Sequence, residues 1–169
     1  MAPLIALLCT FILAVLALRW RALRRGASRP DLRLAGRIAM AAMLVLSGSA
    51  HFVSTEAFVA MVPPLLPAPA FWVYLTGVAE LAFAAALLLW PRPWLGWALA
   101  ALFVALLPAN IYAALAGVGY GQHTAAYLWF RVPLQALFIA WALASTGVLA
   151  LGRRDALATG NQQRSHRAV

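Results

Sequence analysis

Glu80 stands near the middle of an apolar run from Phe71 to Trp90, where a charge costs at least ~2.5 kcal/mol on insertion scales. A carboxyl at that depth is a candidate for proton exchange. Further polar residues interrupt apolar runs in the same way: His51 with Ser47 one turn before it, Asn110, and Arg131 with Gln135 one turn after it. Residues four apart share one helical face, so each of these pairs points in one direction. Carboxyl and imidazole groups suit general acid–base work, which makes Glu80 and His51 the candidate catalytic pair. Arg131, Gln135 and Asn110 carry hydrogen-bond donors and are the candidate ligand-binding residues. A plainer reading stands beside this one. A Glu–Arg pair with amide neighbours can simply lock helices together, each interhelical hydrogen bond contributing roughly 0.6 kcal/mol.

The elements that must position these residues are transmembrane helices. The 169 residues are 65% apolar and 10% charged, with a mean hydropathy of +0.87, far from the balance of a water-soluble domain. Five apolar stretches are expected to span, over residues 3–18, 36–53, 71–90, 94–116 and 128–151, because about 20 helical residues cross the hydrocarbon core. Residues 1–152 then form one all-α, polytopic helical bundle, and 153–169 form a polar cytoplasmic tail expected to be disordered.

The charge pattern orients the bundle. All 13 basic residues are arginines, giving a net charge of +9, and they lie mostly in short segments between the apolar runs. That distribution argues against nucleic acid as a partner and for membrane orientation. Arg19, Arg21, Arg24, Arg25, Arg29, Arg33 and Arg37 face only Asp31 in the first loop, which is therefore placed on the cytoplasmic side, with the N-terminus outside. Five crossings put twelve of the 13 arginines inside, Arg131 being the exception. The first run lacks basic residues ahead of it and reads as an uncleaved, reversed anchor in a bacterial inner membrane.

With that topology, Ser47, His51, Asn110, Arg131 and Gln135 all fall in the outer half of the bundle, and Arg131 has the reach to approach Glu80. Pro108 and Pro133 remove helix hydrogen bonds to Val104 and Trp129, which favours a widened bundle at the same depth. The outer loop from Ser54 to Ala70 holds Pro63, Pro64, Pro67 and Pro69 among apolar residues. It cannot form a long helix, and serves either as a lid or as a lipid-packed connector. Tryptophans and tyrosines are expected mainly in an interfacial belt. Small residues such as Gly48 and Gly77 permit close helix approach and a homodimer face. No metal is expected, since His51 has no second ligand at membrane depth. One cysteine, Cys9, excludes an internal disulfide relay. His123 receives no role.

Taken in order, Ser47-Gly48-Ser49-Ala50-His51-Phe52, Phe58, Val62-Pro63-Pro64-Leu65-Leu66-Pro67, Tyr74-Leu75-Thr76-Gly77-Val78-Ala79-Glu80, Pro108-Ala109-Asn110-Ile111-Tyr112 and Arg131-Val132-Pro133-Leu134-Gln135 resemble the DoxX-like family of small bacterial membrane proteins over roughly residues 36–145. The resemblance implies a four-helix core to which the first helix is an addition. It also implies an association with quinone-linked oxidoreductases, with maturation of periplasmic redox enzymes or, as in animal relatives, with receptor assembly. The family motifs coincide with the residues that depth selects.

Three classes of function follow. The leading one is a membrane subunit or binding protein for a quinone-like or other lipophilic ligand, with a redox partner supplying electrons, since no cofactor site is visible in this chain. The second is a stand-alone acid–base enzyme acting on a lipophilic substrate. The third is a non-catalytic assembly factor. Whether the chain is itself an enzyme stays open between them.

Overall fold

The computed structural model describes residues 2–26, 29–118 and 125–148, with backbone alone at 125–128. His123 and the expected polar tail at 153–169 lie outside the described residues. Among the described residues six helices follow one another: α1 (Ala2–Arg24), α2 (Leu32–Val53), α3 (Thr55–Val59), α4 (Pro69–Leu89), α5 (Pro93–Ala116) and α6 (Ala125–Ser145). Every regular element among the described residues is helical.

Local chemistry sets the helix ends, and it moves several of them from where hydropathy places them. α1 continues past the apolar run to Arg24, because arginine is a good helix former whose stem can lie along apolar surface. It stops just before Gly26, at φ 69°. α2 starts earlier than residue 36, because Asp31 caps it: one carboxylate oxygen accepts from the backbone of Arg33 and Leu34 at 3.0 Å each. α4 and α5 open on prolines, whose missing N–H is no loss in a first turn. α5 closes on Gly117, φ 68°. α6 begins before residue 128 and ends at Ser145 rather than at 151, ahead of Gly147 at φ 87°.

Among the described residues α1, α2, α4 and α5 are long and apolar enough to cross a membrane, and residues 129–145 of α6 are apolar as well. Their outward faces carry large apolar side chains, Leu13 being 66% and Leu115 71% exposed. A surface of this kind suits lipid rather than water.

α2 is the hub. It packs against α1, α4 and α6, while α5 packs against α6, and α4 and α5 hardly touch. Small residues bring α2 and α4 close: a side-chain carbon added at Gly48 would stand 3.0 Å from the Gly77 carbonyl oxygen. On the opposite side Trp141 Nε1 donates to the Gly36 carbonyl at 3.1 Å, tying α6 to α2. Phe11 of α1 meets the same tryptophan edge-on, with ring centroids 4.9 Å apart. Leu7, Met40, Met43, Leu44, Leu87, Leu99, Phe103 and Phe138 join into one core. Trp141→Phe keeps the ring and removes the interhelical bond, so it is expected to lower stability by about 0.5–1.5 kcal/mol, read as a lower melting temperature in detergent.

Candidate functional site

α2 carries Ser47 and His51 on one face, α4 carries Thr76 and Glu80, and α6 carries Arg131 and Gln135, each pair one turn apart. These three faces and Asn110 of α5 converge on one cavity of about 620 Å³. All five residues singled out by depth, Ser47 among them, therefore line the same cavity, together with Glu80. Met43, Phe103 and Phe138 add apolar surface to its wall.

Glu80 is 3% exposed, and His51 and Gln135 are 6% exposed. His51 Nε2 stands 3.9 Å from Glu80 Oε1, and Ser47 lines the cavity with them. The other face of the imidazole is fixed: Nδ1 lies 3.0 Å from the Val73 carbonyl oxygen. A carbonyl only accepts, so the assigned tautomer puts the hydrogen on Nδ1 and turns Nε2 toward Glu80. Thr76 Oγ1 is 3.3 Å from Nδ1 and donates to the Trp72 carbonyl at 2.8 Å. Two acceptors on the cavity wall, Glu80 Oε2 and Gln135 Oε1, are buried and make no hydrogen bond. Buried oxygens of this kind are costly unless something in the cavity answers them.

Asn110 contributes less than its depth implies, since its side-chain amide donates to the Leu106 carbonyl one turn back in its own helix at 3.3 Å. Arg131 shares the cavity with Glu80, but the basic group set against the carboxylate is His51.

The segment between α2 and α4 closes over this cluster. Phe58 of α3 stacks on His51, centroids 4.2 Å apart and rings 24° from parallel. Beyond α3, Met61 Sδ accepts from Arg131 Nη1 at 3.5 Å, and Val62, Pro63 and Leu66 line the cavity with them. The strap is anchored at its far end, where Trp72 Nε1 donates to the Pro67 carbonyl at 3.0 Å. Ala68 takes the left-handed conformation at φ 51° before α4 begins. Phe58 and Met61 are site residues that a search for polar groups passes over. Thr76 had a signal, one turn from Glu80 on the same face. Cys9 is exposed on α1. Among the described residues no three His, Cys, Asp or Glu side chains come together.

Residues 40–146 match a family model described as "Domain of unknown function (DUF8561)". The chain belongs to the DUF8561 family. No curated protein and no solved structure matches it. The DUF8561 region holds Ser47, His51, Glu80, Asn110, Arg131 and Gln135, and leaves α1 outside except for the packing it makes against α2. Apart from Ala2 and Pro3, the described residues that line the cavity all belong to the DUF8561 region.

Proposed function

We propose that this DUF8561 protein is a membrane subunit or binding protein that holds a quinone-like or other lipophilic ligand and serves redox metabolism. The observation that carries the reading is the pair of buried oxygens without partners, Glu80 Oε2 and Gln135 Oε1, on the wall of a largely apolar cavity. A ligand with one polar end and an apolar body answers both features. In this reading Arg131 and the Gln135 amide N–H donate to the carbonyl of a quinone, Gln135 Oε1 accepts from the hydroxyl of a quinol, Glu80 exchanges a proton with the ring oxygen, and His51 carries that proton onward. Converting a quinone to a quinol takes two electrons and two protons. The protons pass through Glu80 and His51, and the electrons come from a redox partner protein.

The topology belongs to the same reading. The 21 residues of α6 reach about 30 Å at the helical rise, enough for a fifth crossing. Five crossings with the N-terminus outside leave twelve of the 13 arginines on the cytoplasmic side of a bacterial inner membrane. The DoxX-like resemblance supports a four-helix core, α2, α4, α5 and α6, with α1 added.

Purified wild type is expected to melt several degrees higher with a bound quinone than without one, as a ligand at about a hundred times its Kd adds roughly 2.7 kcal/mol. The measurement is thermal unfolding in detergent with a panel of quinones and membrane lipids. If every compound leaves the melting temperature unchanged, the reading is lost. The closeness of His51 and Glu80 supports a second reading, an acid–base enzyme complete in itself. Turnover of a lipophilic substrate by the isolated chain, abolished in Glu80→Gln, would establish that one instead.

A further inference from the structure

α4 and α5 are joined by a short connection, Trp90 to Arg92, and yet hardly touch. Two antiparallel helices linked so tightly must be close at the link, so their few contacts lie there and the pair diverges toward the other end. Each leans on a different neighbour, α4 on α2 and the strap, α5 on α6. Leu87 and Leu99, nearer that link, are fully buried. At the open end lies the cavity. Its α5 wall sets Ala105 and Ala109 between Phe103, Leu106 and Asn110, beside Pro108, which removes one helix hydrogen bond. Ala105 and Pro108 are exposed as well as cavity-lining. At the end of the bundle where water would enter, the strap covers the cavity with Phe58, Met61 and Leu66.

We infer that the cavity opens sideways into the bilayer between α4 and α5, and that this portal holds the hydrocarbon chain of a ligand whose polar head lies against Glu80 and Gln135. The inference rests on the reading of the cavity as a lipophilic site and narrows the ligand class: a single-chain amphiphile drawn from the membrane, not a compact solute arriving from water. A ligand entering this way keeps its chain in an apolar medium throughout and leaves the strap in place. Only its head exchanges lipid for protein. That head meets Glu80 Oε2 with a hydroxyl, or with a carbonyl when the carboxyl is protonated, and meets the Gln135 amide with a hydroxyl at Oε1 or a carbonyl at the N–H.

The test uses two probes in nanodiscs, tetramethylbenzoquinone without a chain and a decyl-substituted benzoquinone, with dissociation constants read by quenching of tryptophan fluorescence. In wild type the chained probe is expected to bind at least about tenfold more tightly, a difference of roughly 1.4 kcal/mol. Ala105→Trp fills the portal, and in that variant the ratio should fall toward one. An unchanged ratio overturns the portal. So does a dimer present in wild type and lost in Ala105→Trp, which would place a second copy in the wedge. If neither probe binds, the proposed function fails, and the portal is decided separately by a nitroxide on Ala105→Cys in a Cys9→Ser background. Relaxation of the label by oxygen more than by a water-soluble nickel chelate sustains a lipid-facing opening. The reverse order overturns it.

Discussion

Glu80→Met is expected to melt above the wild type, by an amount equivalent to about 1–3 kcal/mol, and to lose all stabilisation by quinone. Methionine fills a similar volume without polar oxygens. The substitution removes a buried oxygen that has no partner, Oε2, along with the need to hold a carboxyl among apolar side chains. The loss on the other side is small. His51 is 3.9 Å from Oε1 and keeps its bond to the Val73 carbonyl when the carboxyl is gone. A packing residue would behave in the opposite way, because deleting one partner of a buried polar contact usually costs several kcal/mol. Melting curves of both proteins, with and without quinone, separate the two. A Glu80→Met protein that melts earlier and whose yield falls in step would make the carboxylate a helix lock and bring the assembly-factor reading forward.

Gly77→Ala is the second large effect, and it acts through shape. The added methyl would stand 2.8 Å from His51 Cβ, 3.1 Å from Phe52 Cε2 and 3.2 Å from the Gly48 carbonyl oxygen. Cβ and carbonyl atoms are fixed to the α2 backbone and cannot swing aside, so the two helices must part. Overpacking of this type costs about 1–3 kcal/mol, and here it also pushes His51 away from Glu80. The expected result is a melting temperature lowered by several degrees together with weaker quinone binding per folded molecule. Gly48→Ala should do less harm, since two of its three close atoms belong to the flexible end of Leu81, at 3.0 and 3.1 Å. Equal stability of Gly77→Ala and wild type would show that the seam between α2 and α4 is looser than the distances state.

The sequence makes the helices visible because apolar runs and caps are local signals, and it hides their ends where the two signals disagree. α1 extends through Arg19 and Arg21 to Arg24, since hydropathy registers the charge while the backbone responds to helix propensity. The polar cluster was legible for a physical reason: a charged or amide side chain in an apolar helix is rare, and topology assigns it a depth. Which member faces which was not. Rotation of each helix about its axis is set by packing, and packing puts His51 rather than a more distant cation beside Glu80. The strap was half legible. Four prolines exclude a long helix, yet the apolar pattern does not mark Met61, and the family motif holds Phe58, which reaches the cluster, alongside Leu65, which is 93% exposed. α3, five residues long, is too short for any periodicity to show.

The bond between His51 and the Val73 carbonyl has a consequence for traffic through the site. A carbonyl oxygen can hold the Nδ1 hydrogen but cannot carry it away, so on that side the imidazole is a dead end. A proton taken up at Nε2 therefore returns to the cavity unless the ring turns over or the Nδ1 hydrogen passes to Thr76 Oγ1, 3.3 Å off. Phe58, stacked flat on the ring, resists the turn. In the quinone reading, a seated strap therefore leaves the Thr76 hydroxyl as the route for a proton on that side, and turning the ring over requires Phe58 to move.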